Sequence, residues 1–214
     1  MTEKIKKLMT ALERNNMQAF YAENKEAALE QLKQLLPSGG TVTHGGSVTL
    51  QECGVPALLK SGAYTYLDRT AGGLTPVQIE EIYRKAFWAD AYVTSANAVT
   101  MDGLLYNVDG NSNRVAAILY GPKEVIFIVG INKIVDNLEQ AVERVKSIAA
   151  PKNAARLQCP TYCKEKEHCV AENGAPMGEG CSSEGRICCN YVVSAKQRQK
   201  NRIKVIIVNE ELGY

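Results

Sequence analysis

Val125-Ile126-Phe127-Ile128-Val129-Gly130-Ile131-Asn132 decides the fold, because five apolar β-branched or aromatic residues run unbroken into a glycine turn. A short run that is apolar at every position belongs in the interior of a parallel sheet, with both faces covered. Ala91-Tyr92-Val93-Thr94 and Ile203 to Val208 read the same way, and Thr41-Val42-Thr43 and Ala63 to Leu67 add shorter strands. Beyond the turn, Ile134, Val135, Leu138, Ala141, Val142, Val145 and Ile148 keep a 3.6-residue period, predicting a helix that opens at Gly130-Ile131-Asn132. Upstream, Ile5, Leu8, Met9 and Leu12 mark an amphipathic helix, and Ala27 to Leu36 a second one stopped by Pro37-Ser38-Gly39-Gly40. Thr75-Pro76-Val77-Gln78 supplies an N-cap, a first-turn proline and a capping glutamine for a helix with Ile79, Ile82, Tyr83, Ala86 and Phe87 on its apolar face. Leu104 to Val108 and Val115 to Tyr120 flank Asp109-Gly110-Asn111-Ser112-Asn113, which predicts a hairpin with a long loop. The expected fold is α/β: a three-layer, mostly parallel, Rossmann-like sheet with some antiparallel pairing and a C-terminal cysteine-rich segment.

With 214 residues and 45% apolar content, the chain can bury one sizeable core. The expectation is a single domain over residues 1–214, with the cysteine-rich segment, 159–189, inside it. A net charge of +2 and scattered Lys and Arg exclude the basic stripe that nucleic acid demands. No apolar h-region follows the opening charged residues and no stretch approaches a membrane span, so a soluble cytoplasmic protein with no membrane contact is expected. Six of the seven cysteines fall between Cys159 and Cys189. In a reducing compartment, so tight a cluster points to a metal or redox centre before disulfides.

Thr43-His44-Gly45-Gly46-Ser47-Val48-Thr49 places two glycines and a hydroxyl between a strand and a helix. Thr49 and Glu52 are also positioned for a capping box. Glycines let a ligand approach the backbone, and free N–H groups at a helix start attract an anion; an ordinary capped turn explains the same residues equally well. His44 reads as an acid–base candidate or, more simply, a structural residue of the turn. Ser95-Ala96-Asn97 follows a central strand, and Asp102-Gly103, Asn107, Asp109-Gly110, Asn113 and Arg114 come after it. Parallel sheets gather ligands at the carboxyl ends of their strands, so these polar groups are expected to converge. Asp102 and Asp109 are candidate bases and Arg114 a bidentate anion partner, although turn chemistry alone accounts for the Asp-Gly pairs.

Cys159, Cys163, Cys169, Cys181 and Cys188 are the candidate metal ligands, with Cys189 an extra thiol and His168 a substitute. Zinc and an iron–sulfur cluster both suit thiolates on a glycine-rich loop, and the spacing matches neither zinc-finger pairs nor ferredoxin runs. Free or disulfide-forming thiols are the plainer reading.

Three stretches together, Gly45 to Gly54, Asn107 to Ala116 and Gly130 to Val135, resemble the lactate-utilization (LUD) domain family over nearly the whole chain. Cys181 to Cys188 and the closing Val208 to Tyr214 are similar to a cysteine-bearing branch of it, with an insertion around Glu172 to Gly180. The resemblance implies the fold of ribose-5-phosphate isomerases, glucosamine-6-phosphate deaminases and CoA transferases, and a link to bacterial L-lactate oxidation beside iron–sulfur and flavin subunits. The ligand-binding candidates are then Gly45, Gly46, Ser47, Thr49, Asn97, Asp109, Gly110, Asn113, Arg114 and Lys133, for an anionic small molecule. Asp102 and Glu52 are the catalytic candidates. The expected role is a small-molecule-binding or catalytic component of lactate or related hydroxy-acid utilization, with an oligomer compatible. An iron–sulfur electron-transfer or assembly subunit and a sugar-phosphate isomerase or CoA-transferase-like enzyme are the alternatives.

Overall fold

The computed structural model describes residues 1–214. In chain order the elements are α1 (Glu3–Arg14), β1 (Gln18–Ala22), α2 (Lys25–Leu35), β2 (Thr41–His44), α3 (Val48–Glu52), α4 (Val55–Leu59), β3 (Thr65–Tyr66), α5 (Pro76–Lys85), β4 (Ala91–Thr94), β5 (Ala98–Thr100) and β6 (Leu105–Asp109). They continue as α6 (Asn113–Leu119), β7 (Glu124–Gly130), β8 (Ile134–Val135), α7 (Leu138–Arg144), α8 (Ala150–Arg156), α9 (Tyr162–Lys166), β9 (Asn190–Ser194) and β10 (Ile203–Val208). Six strands form one sheet in the order β1-β10-β7-β4-β2-β3, and every neighbouring pair is parallel.

Alternation along β7 and β10 explains why both faces of that sheet are dry. Val125, Phe127, Val129, Ile203, Val205 and Ile207 point into a core shared with Ile5, Leu8 and Leu12 of α1 and Ala117 and Ile118 of α6. Ile126, Ile128, Ile206 and Val208 point the other way, onto Ala28 and Leu32 of α2, Leu50 of α3 and Val55 and Leu59 of α4. Period-two side-chain direction thus turns a continuous apolar run into two cores on opposite faces.

A smaller sheet, ordered β8-β5-β6-β9, adds the antiparallel pairing, with β6 between β5 and β9. Its Ala98 and Tyr106 pack on Ala141, Val145, Ala149 and Ala150 of the long helix, a third core. That helix runs on from α7 into α8 through a π-helical stretch, Val145–Ala149. The widened turn leads up to Pro151, which has no N–H to return to the turn before it.

Four sequence expectations are corrected. Val115 to Tyr120 is not a hairpin strand but lies largely in α6, burying Val115, Ala117 and Ile118, while β6 pairs with β5 and β9. A six-residue apolar run carries too little periodicity to separate the two states. The long helix begins at Leu138, capped by the Asn137 side chain, and Ile134-Val135 is strand β8. Thr49 and Glu52 form no capping box: Ser47 is the N-cap without a side-chain bond, and both residues are engaged with the chain's end. The apolar positions of α5 are not buried, so the well-capped helix lies on the surface. Strands β1, β5 and β9 carry mixed polar sequences that gave no strand signal.

Candidate functional site

Strands β2, β4 and β7 lie side by side in the sheet, and their carboxyl ends deliver Gly46-Ser47, Ser95 to Asn97, and Lys133 to one cleft of about 420 Å³. The second wall is β6 running into Asp109, Gly110 and Asn111, with Asn113 and Arg114 of α6. Asn153, Arg156 and Tyr214 close one side, and Arg69 and Tyr83 the other. This is the location that parallel-sheet topology prescribes for a ligand.

Four cations face the cleft, Arg69, Arg114, Lys133 and Arg156, against a single carboxylate, Asp109, which is 3.4 Å from Arg114 Nε. Arg114 braces the site. Its Nη1 donates to Ser95 O (3.1 Å) and Asn107 Oδ1 (2.9 Å), and its Nη2 to Asn97 Oδ1 (2.9 Å) and Val108 O (2.8 Å). The guanidinium fork expected to pair an anion is therefore occupied by the protein itself, which corrects the bidentate assignment. Asn97 Oδ1 also accepts from Val108 N, so Asn97 and Arg114 together lock β6 onto the end of β4.

Lys133 is 2% exposed at the floor of the cleft. Its Nζ donates to Thr49 Oγ1 (2.8 Å) and Ser95 Oγ (3.1 Å), and no carboxylate pairs with it. Burial, then the neighbouring Arg144 and Arg114 charges, bring its pKa down to about 7. An amine with that property changes charge near neutral pH and accepts or releases a proton readily.

Arg69 donates to Tyr83 Oη (3.1 Å), with its guanidinium carbon 5.8 Å from the centre of the Tyr83 ring; its Nε is buried without a partner and no carboxylate pairs with it. A side chain at Gly46 would put its Cβ 2.5 Å from Arg69 Nη2, so the glycine is what lets this cation reach over the β2 turn. Arg156, held by Asn153 and by Tyr214 Oη at 2.8 Å, reaches in from the end of α8.

Eight of the ten expected ligand-binding residues line the cleft: Gly46, Ser47, Asn97, Asp109, Gly110, Asn113, Arg114 and Lys133. Gly45 and Thr49 stand behind them. A Cβ at Gly45 would crowd Tyr92, Thr94 and Arg114 at 3.0–3.2 Å, and Thr49 hydrogen-bonds Lys133 and Leu212 O. The two catalytic candidates lie elsewhere. Asp102 sits in the β5–β6 turn, bonded by Thr100 Oγ1, and does not line the cleft. Glu52 accepts from Gly213 N (2.7 Å) and fastens the end of the chain. His44 stacks on Tyr66, burial pushes its pKa below the ordinary imidazole value, and it does not line the cleft. Helix α3 has only five residues, so the positive character of the cleft comes from side chains more than from a helix dipole.

Arg69, Tyr83, Asn153, Arg156 and Tyr214 were not among the site residues expected from the sequence. Arg69 was within reach, because Leu67-Asp68-Arg69 follows β3 and the carboxyl-end rule applies there too. A larger apolar groove, lined by Phe87, Trp88 and Tyr120, adjoins the cleft through Tyr83, Asn111 and Asn113. All seven cysteines are free; as the side chains stand, no group of three or more His, Cys, Asp or Glu is arranged to hold a metal ion. No helix is long and apolar enough to cross a membrane.

Comparison with known proteins supplies the family. The crystal structure of a DUF162 family protein from Deinococcus radiodurans superposes with a TM-score of 0.55 at 14% identity, covering 96% of each chain. Ribose 5-phosphate isomerase A from Neisseria gonorrhoeae gives 0.35 at 14% identity, over 64% of this chain and 66% of that one. No curated protein matches the sequence. The LUD domain profile matches residues 5–208, nearly the entire chain, so the protein belongs to the LUD domain family, which ties it in general terms to lactate utilization.

Proposed function

We propose that the cleft at the ends of β2, β4 and β7 binds a small anionic metabolite, a hydroxy acid such as lactate or a relative of it. The observation that carries this reading is the imbalance of charge: Arg69, Lys133 and Arg156 face the cleft without carboxylate partners, while its one carboxylate is neutralised by Arg114. Unpaired cations in a concave, partly dry site concentrate anions and hold them by charge-assisted hydrogen bonds. Gly46 and Ser47 line the cleft beside them, and Asn97 and Arg114 hold β6 in place.

Lys133 favours a catalytic version of the same reading. Near neutral pH it is divided between amine and ammonium, so it serves as the proton acceptor or donor that Asp102 and Glu52, off the cleft, do not provide. Calorimetric titration with L-lactate, ribose 5-phosphate and acetyl-CoA distinguishes the ligand classes. Binding of L-lactate, weakened at least tenfold in Arg69→Gln, is expected. Binding of the phosphate or acyl-CoA alone would shift the reading to the isomerase or transferase class, and binding of none would refute the anion site.

A further inference from the structure

Four of the cysteines, Cys163, Cys169, Cys181 and Cys188, line one cavity of about 20 Å³ beneath the second sheet. They come from four separate places: α9, the turn after it, the glycine-rich loop, and the approach to β9. Tyr106 of β6 and Val145 and Lys146 of the π-helical stretch form the cavity floor, and Glu179 also lines it. Cys163 and Cys169 are 6% and 9% exposed. Cys159 and Cys189 do not reach the cavity, and His168 pairs with Glu172 instead.

The surroundings are built for negative charge. Lys146 is 5% exposed, has no carboxylate partner, and donates only to Ala175 O (3.0 Å) and Pro176 O (2.7 Å). Arg186 likewise has no carboxylate partner; it donates to Cys181 O (3.0 Å), Cys188 O (2.9 Å), Gly178 O and Tyr191 Oη, gathering two of the cysteine-bearing segments. Ala171 N donates to Cys169 Sγ and Thr161 Oγ1 is 3.4 Å from Cys163 Sγ. A buried cation such as Lys146, with no ion-pair partner, is costly unless an anion faces it, and four neutral thiols are not one.

We propose that Cys163, Cys169, Cys181 and Cys188 bind one zinc ion as a structural tetrathiolate centre that orders residues 159–189. Each thiol releases its proton to solvent as its zinc–sulfur bond forms, four protons per Zn²⁺, leaving a centre of net double negative charge against Lys146 and Arg186. A cavity of about 20 Å³ holds about one water-sized particle, which fits a single ion and not a multi-iron cluster. The sulfurs are not at ligating distance as they stand. Zinc–sulfur bonds of about 2.3 Å would draw them inward around the cavity they already line.

The test is metal content of full-length protein purified without chelator, with alkylation mapping of its cysteines before and after chelator. The proposal predicts about one zinc per chain, and four cysteines, these four, that react only once chelator is added. Cys159→Ser and Cys189→Ser should keep the metal, while Cys181→Ser with Cys188→Ser should lose it. The wild-type alkylation pattern decides the matter even if that double variant fails to fold. Iron with sulfide, disulfides among the four, or seven equally reactive thiols with no metal would each overturn it.

Discussion

At the residue scale the account rests on Lys133. Its pKa is displaced downward, to about 7 from the ordinary 10.5, so the unfolded chain binds the proton more tightly than the folded one does. Between those values the unfolded state carries more protons, and stability from this group therefore rises with pH, by at most about 1.4 kcal/mol per unit. Comparing urea midpoints of wild type and Lys133→Met from pH 7 to 8.5 should show a steeper rise in the wild type. Equal slopes would mean that the amine is solvated in the folded protein. Anion binding should respond in the opposite sense, weakening several-fold from pH 6 to 8.5 as the ammonium is lost. Gly46→Ala separates site from fold: the new methyl meets the tip of a flexible arginine, so stability should stay within about 1 kcal/mol while L-lactate affinity falls about tenfold. Loss of stability with unchanged affinity would contradict the placement of Arg69.

Legibility in the sequence also divides residue by residue. Gly46, Ser47 and Asn97 were found because each follows a strand legible in the sequence, and topology brings strand ends together, whereas Lys133 came only with the resemblance carried by Gly130 to Val135. Arg156 was not, since an arginine in the last turn of a helix looks like any dipole partner until Tyr214 and Asn153 hold it. Glu52 misled for a related reason: its spacing from Thr49 imitates a capping box, while its true partner, Gly213, is 161 residues away.

At the element scale, the β5–β6 hairpin is what the sequence concealed and what the cleft needs. Leu104 to Val108 was visible as a strand, but its partners were not, because β5 has three residues and β9 lies beyond the cysteine segment. Arg114 holds this hairpin to the main sheet, and its removal leaves Asn107 Oδ1 without a donor and takes one each from Ser95 O and Val108 O. Arg114→Met should cost about 3 kcal/mol in chemical denaturation. A cost below about 1 kcal/mol would show that the hairpin docks by packing alone. At the other end, Gly103 has φ +83° and a Cβ there would lie 2.8 Å from the α1 backbone at Ala11 and Leu12. Gly103→Ala should therefore destabilise by about 3 kcal/mol through displacement of α1 without altering ligand affinity, measurable by paired denaturation and calorimetry.

On the scale of the whole molecule, the end of the chain ties the parts together. Leu212 is 3% exposed in the core beneath α3, its carbonyl accepts from Thr49, Asn132 receives Leu212 N and donates to Gly213 O, and Tyr214 reaches Arg156. One segment thus touches the support of Lys133 and the placement of Arg156 at once. Leu212→Ala should lower stability by about 3 kcal/mol and also flatten the pH dependence attributed to Lys133, because water would reach its amine. Five of the sheet's six strands were legible in the sequence; the dependence of the cleft on this tail was not, since it arises from contacts between residues 58 to 163 positions apart.

The central claim is that an anion binds where β2, β4 and β7 end, and amide chemical-shift mapping during titration with L-lactate tests it most directly. The account predicts shifts concentrated at Gly46, Ser47, Asn97, Gly110 and Lys133, saturating together and absent at Asp102. Shifts centred on Trp88 and Tyr120, or none at any concentration of lactate, would contradict it.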